Sequence, residues 1–79
     1  MKIYTNPLTQ KVHLLLTPLI GEIMSSGVIK VQCRNLGITE DSLSSVNLPQ
    51  LADGIRHGLV LFVGSDAAAR MGKKIENLI

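Results

Sequence analysis

Seven apolar residues set the main constraint on this chain. Leu48, Leu51, Ala52, Ile55, Leu59, Phe62 and Val63 recur at three- and four-residue steps. That spacing puts side chains on one face of an α-helix and holds it over four turns. The start of the segment is specified too. Asn47 is placed to cap it, Pro49 falls in the first turn where a missing N–H does no harm, and Val46 stands where it would pack on Leu51 as a hydrophobic staple. Gly64 is expected to end this helix and Ser65 to cap the next, whose apolar stripe is Ala68, Met71, Ile75 and Leu78.

Earlier in the chain, Asn6-Pro7 reads as a helix opening, and Thr17-Pro18 as either a kink or a new start. From there Leu19, Ile20, Ile23, Met24, Gly27, Val28 and Val31 repeat at helical steps and fall on one face. Gly37 follows as a left-handed C-cap. Residues Thr39 to Leu43 suit a single helical turn capped by Thr39. The segments form no internal repeat and leave no linker. The expected fold is all-α, a small bundle of about four helices in one domain over residues 1–79. An α+β alternative stays open, with strands near 28–34 and 59–63: Ile29, Val31 and Cys33 alternate with Lys30, Gln32 and Arg34, and Leu59 to Val63 is a β-rich run.

A chain of 79 residues buries only about 60–65% of its unfolded surface, so its stability margin is thin. Its apolar content is aliphatic, with one Phe, one Tyr and no Trp, so few rings can stack on bases or sugars. Association is a common remedy for so small a core. Gly21, Ser25 and Gly27 offer shallow ground where another helix could come close. A single cysteine, Cys33, forms no internal disulfide and points to a reducing, cytoplasmic setting. The longest uncharged apolar stretch, Val12 to Gly21, has ten residues, about half of what a membrane span needs. Lys2 and Lys11 ahead of Leu14 to Ile20 faintly resemble a secretory leader, but Glu22 interrupts the pattern.

The chemistry-bearing residues do not converge in sequence. His13, Cys33 and His57 include no Cys-x-x-Cys or His-x-x-x-His spacing for a metal. His57 and Asp53, one helical turn apart, suit a surface hydrogen-bonded pair. Cys33 has no histidine nearby in sequence and reads as a small core residue. Gly64-Ser65-Asp66 ahead of a helix could meet an anion through backbone N–H groups, the basis of a small anion- or nucleotide-binding α/β reading, but Asp66 would repel a phosphate. The net charge is +2. Arg70, Lys73 and Lys74 are the one cluster of bases, and they suit either a helix C-terminus or a weak nucleic-acid contact. No catalytic, cofactor-binding or metal residue is assigned.

Pro18-Leu19-Ile20-Gly21-Glu22-Ile23-Met24, with Leu59 to Gly64 later, resembles the short helical segments found at the ends of bacterial signalling proteins such as serine/threonine kinases. Those segments carry Ile-Gly-Pro-hydrophobic-Ala and then a helix ending in Phe. The likeness spans about two thirds of the chain, and Glu22 stands where the segments have Pro. It implies an all-helical association or regulatory module without catalytic residues. The expected function is therefore a non-enzymatic protein–protein interaction or regulatory module. It would be a homo-oligomer or bind another protein through Leu19, Ile23, Leu59 and Phe62, with no membrane and no cofactor, and with nucleic acid as the alternative partner.

Overall fold

A computed structural model describes residues 3–78, and Lys2 lies outside them. They form three α-helices: α1 (Pro7–Ile20), α2 (Glu22–Asn35) and α3 (Leu48–Glu76). The all-helical expectation holds, and no strand occurs among the described residues. The alternative strands near 28–34 and 59–63 are helical, in α2 and α3. Their short alternations are overridden by the helical periodicity of their flanks. Three helical spans stand where about four were expected, and the third is itself divided: φ 84° and ψ 166° at Gly64 break α3 into two arms, 48–63 and 65–76.

The first helix opens as its sequence dictates. Asn6 Oδ1 accepts from Leu8 N at 3.0 Å, and Pro7 occupies the first turn. Pro18 does not end α1; it sits in the last turn, and the chain turns at Gly21 instead. Gly21 N donates back to Thr17 O at 2.9 Å, and Ser25 N starts α2 by donating to Gly21 O at 3.0 Å. One residue thus joins two helices, at φ 85° and ψ 166°, a conformation that is essentially open only to glycine.

Gly64 repeats that conformation. The burial around the two glycines matches as well: Thr9, Val12, Leu16 and Ser25 stand at the same offsets from Gly21 as Ala52, Ile55, Leu59 and Ala68 from Gly64, and all eight are buried. The fold therefore contains a helix–glycine–helix unit twice, a repeat that the dissimilar side chains conceal in the sequence. The arms of α3 fold back on each other. A Cβ built on Gly72 would lie 3.4 Å from Arg56 Cβ and 3.6 Å from the Ala52 carbonyl oxygen. Without the break, the 29 residues of α3 would make a rod of about 44 Å, whereas the longest dimension of the molecule is 29 Å.

The core draws Leu16 from α1, Ile29 and Cys33 from α2, and Leu48, Leu51, Ile55, Leu59 and Ile75 from α3, all fully or almost fully buried. Residues 36–47 close it. Gly37 (φ 73°) terminates α2 as expected, with Ile38 N donating to Cys33 O and Gly37 N to Arg34 O, both at 3.0 Å, the paired bonds of a Schellman motif. The single turn expected from Thr39 is a hydrogen-bonded turn, in which Thr39 N donates to Ser42 Oγ at 2.9 Å. The Asn6 side-chain amide then ties this connection to α1, donating to the carbonyls of Glu40, Asp41 and Leu43 at 3.3, 3.1 and 2.8 Å.

Two details of the α3 start differ from expectation. Asn47 stands at the N-cap position as expected, but its side chain makes no capping bond, because its Oδ1 accepts from Ser44 N and Oγ at 3.3 and 3.1 Å. Val46 is 82% exposed, so it makes no staple with Leu51. Among the described residues, no helix is long and apolar enough to cross a membrane.

Candidate interaction surface

The second helix buries the opposite side from the one its apolar residues suggest. Ser25, Ile29 and Cys33 face the core. Of the residues expected on one apolar face, Leu19, Ile23, Met24, Gly27 and Val31 are exposed, Ile23 reaching 90%, while Ile20 and Val28 are half-buried and pack against the core. Small residues explain the inversion. Ser25 Oγ donates to Gly21 O at 2.6 Å, so it can be buried without an unmet hydrogen bond, and with Cys33 it lets α2 lie close to its neighbours.

A second run of exposed apolar residues stands before the α3 break: Val60, Leu61 at 93% and Phe62 at 59%, while Ile3, Leu14 and Val46 are exposed elsewhere. Leu19 is exposed at the end of α1. Of the four residues expected to meet a partner, Leu19, Ile23 and Phe62 are therefore on the surface. Leu59 is at 0% exposure and belongs to the core. Leu61 was not singled out by periodicity, and Val31 was counted in the apolar face of α2 but not among the expected contact residues. The signal that finds them is angular: Val31 stands on α2 opposite the small buried Ser25–Ile29–Cys33 row.

The polar residues are distributed as follows. Arg70, Lys73 and Lys74 are exposed, at spacings that put them on one face of the second arm of α3. A shallow groove of about 290 Å³ between the arms is lined by Ala52, Asp53, Arg56, Gly72, Lys73 and Glu76, among others. Its charges are mixed, which suits no single ion. Asp53 and His57 meet on the α3 surface, as the sequence suggested. His57 Nδ1 donates to the Asp53 carbonyl at 2.9 Å, and Arg56 Nη2 donates to Asp53 Oδ1 at 2.9 Å. The Arg56 hydrogen bond holds the Asp53 carboxyl below its ordinary range.

Inside, Cys33 is buried, and its burial, with Glu40 nearby, raises the thiol above its ordinary value. That disfavours the thiolate a nucleophile would need. His13 is fully buried with neither ring nitrogen hydrogen-bonded, and its ring lies 5.3 Å from the Tyr4 ring. No group of three metal-ligating side chains occurs among the described residues. In comparisons with known proteins, no family model, curated protein or solved structure matches the chain.

Proposed function

We propose that the chain is a non-enzymatic protein–protein interaction module, regulatory in character, that self-associates through apolar helix faces. One observation carries this reading: large aliphatic side chains stay in water although the core is already closed. The accessible surface is 4636 Å² for 8.5 kDa, against about 4,650 Å² for a typical folded monomer of that mass. The radius of gyration is 11.1 Å, against about 11.6 Å for a compact domain of this length. The chain is therefore as compact as a typical monomer of its size. Ile23 and Val31 on α2, and Leu61 and Phe62 on α3, nonetheless remain outside, and where such side chains adjoin, exposed apolar surface supports association.

The test is molar mass by size-exclusion chromatography with light scattering over a dilution series. The reading expects a mass of twice 8.5 kDa or more at high concentration, falling on dilution. A constant monomer mass throughout refutes self-association.

A second reading, a weak nucleic-acid contact through Arg70, Lys73 and Lys74, is favoured by their shared exposed face. Asp66 and Glu76 flank that face and weaken its field. Salt decides between the readings, because phosphate binding falls steeply as salt rises and apolar association does not.

A further inference from the structure

The two helix–glycine–helix units are covered differently. On the first, around Gly21, chain outside the helices lies over α1. Tyr4 N donates to Gln10 Oε1 at 2.9 Å, and the Tyr4 ring sits 5.3 Å from the ring of His13. The connection lies beside it, where the Thr9 hydroxyl donates to the Glu40 carbonyl and the Asn6 amide to the carbonyls of Glu40, Asp41 and Leu43. On this side of the unit Thr9, His13 and Cys33 are fully buried.

Counted from Gly64 instead of Gly21, the places of Asn6, Thr9 and Gln10 fall to Pro49, Ala52 and Asp53. Those of His13 and Cys33 fall to Arg56 and Glu76. All five of these counterparts line the groove of about 290 Å³ between the arms of α3. Pro49, Asp53 and Glu76 are exposed there, and Arg56 is half-buried. The second unit thus carries open the groove that the first keeps closed.

We infer that this groove receives an extended segment of another protein bearing an aromatic side chain, seated as Tyr4 is seated on the first unit. The side chains present fit that occupant. Gln10 accepts a backbone N–H, and Asp53 stands at the same place with a carboxylate, a stronger acceptor. Arg56 takes Asp53 Oδ1 and leaves Oδ2 for that bond. Where the Tyr4 ring meets His13, the second unit has Arg56, whose guanidinium attracts aromatic faces. Two cations, Arg56 and Lys73, balance two carboxylates, Asp53 and Glu76. That arrangement complements the paired N–H and C=O dipoles of a neutral backbone. The volume lies at the small end of ligand clefts, roughly 300–1,000 Å³, which suits one ring with its adjoining backbone.

The probe is the capped tetrapeptide Ile-Tyr-Thr-Asn, a copy of residues 3–6. It is titrated into the full chain, at a chain concentration where light scattering finds monomer, and followed by backbone amide chemical shifts. The proposal expects saturable shifts centred on residues 52–56 and 69–76, with a dissociation constant of about 1 mM. The same peptide with alanine in place of tyrosine should bind at least about tenfold more weakly. Arg56→Ala should weaken binding about two- to fivefold. Ala69→Leu, which fills the groove from an exposed position on its wall, should weaken it by about tenfold or more. Native helicity of both variants is checked by circular dichroism.

No saturable shift up to about 10 mM peptide refutes the site, as do shifts centred on residues 9–13, where the peptide would be displacing Tyr4. Equal binding of the alanine peptide refutes the aromatic anchor, and unchanged binding to Ala69→Leu refutes the groove. The groove shares no residue with Ile23, Val31, Leu61 or Phe62, so this titration and the dilution series for self-association can each fail alone.

Discussion

Replacing Gly64 with alanine isolates the energy stored in the α3 break. The glycine sits at φ 84° and ψ 166°, and a Cβ there would touch nothing within 4 Å. The penalty is therefore conformational and owes nothing to crowding. Holding a non-glycine residue in this region costs about 1–3 kcal/mol. Alanine also stiffens the unfolded chain, which offsets about 0.4–1 kcal/mol. The net loss is centred on about 1.3 kcal/mol, within a range of about 0–2.6 kcal/mol, or roughly 5–10 °C in Tm at the centre for a domain of this size. The chain could escape the penalty only by straightening α3. That would carry Ala52 about 30 Å from Gly72 and expose Ala68, Met71 and Ile75, all buried now.

Urea unfolding followed by circular dichroism measures the loss. Small-angle scattering, against a native radius of gyration of 11.1 Å, reports whether the arms have opened. Gly27→Ala is the control of opposite sign. The same chemical change, at a helical position with open space around it, should stabilise the chain by about 1 kcal/mol in dilute solution. A Gly64→Ala chain as stable as its parent, with unchanged dimensions, would refute the conformational argument.

Other substitutions sort core from surface. Leu59→Ala, at a fully buried position, should cost about 2–5 kcal/mol. Leu61→Ala, at 93% exposure, should stay within about 0.5 kcal/mol, and equal losses in denaturant titrations would contradict the burial pattern. His13→Phe keeps a ring against Tyr4 and removes two nitrogens that make no hydrogen bond. It should gain about 1 kcal/mol, and a loss would show that the imidazole has a partner. The Cys33 thiol is raised above its ordinary 9.0 in the folded chain, so the unfolded chain gives up this proton first and stability should fall as pH climbs past that value. Alkylation of the native thiol should be slow at neutral pH and become fast in denaturant, and rapid labelling of the folded chain would refute its burial.

Helix positions were legible wherever apolar spacing and end signals agreed. Asn6-Pro7, the Leu48–Leu59 stripe and Gly37 each carry a local mechanism, and each stands where that mechanism puts it. Gly64 was legible as a break. What spacing could not supply was the buried side of α2. Ile23, Met24, Gly27 and Val31 make the more hydrophobic face, yet Ser25, Ile29 and Cys33 are buried, because close approach to neighbouring helices selects small side chains as well as apolar ones. The internal repeat was hidden for a related reason: it is preserved in backbone dihedrals and burial, while the paired residues differ, as Thr9 does from Ala52 and Ser25 from Ala68. Of the expected contact residues, Leu19, Ile23 and Phe62 could not be told from Leu59 by periodicity, since all four are simply apolar.

The Asn6 side chain has a consequence for the order of folding events. Its oxygen starts α1, while its amide holds three carbonyls of the 36–47 connection. The contacts across Gly21, and those between the arms across Gly64, are short in sequence and can form early at little loop-closure cost. The amide's bonds to Glu40, Asp41 and Leu43 must wait until α2 has brought that segment home. Removing the amide while keeping the oxygen, as in Asn6→Asp, would leave early helix formation untouched and accelerate unfolding, so Asn6 acts as a late latch whose effect falls on the lifetime of the native state.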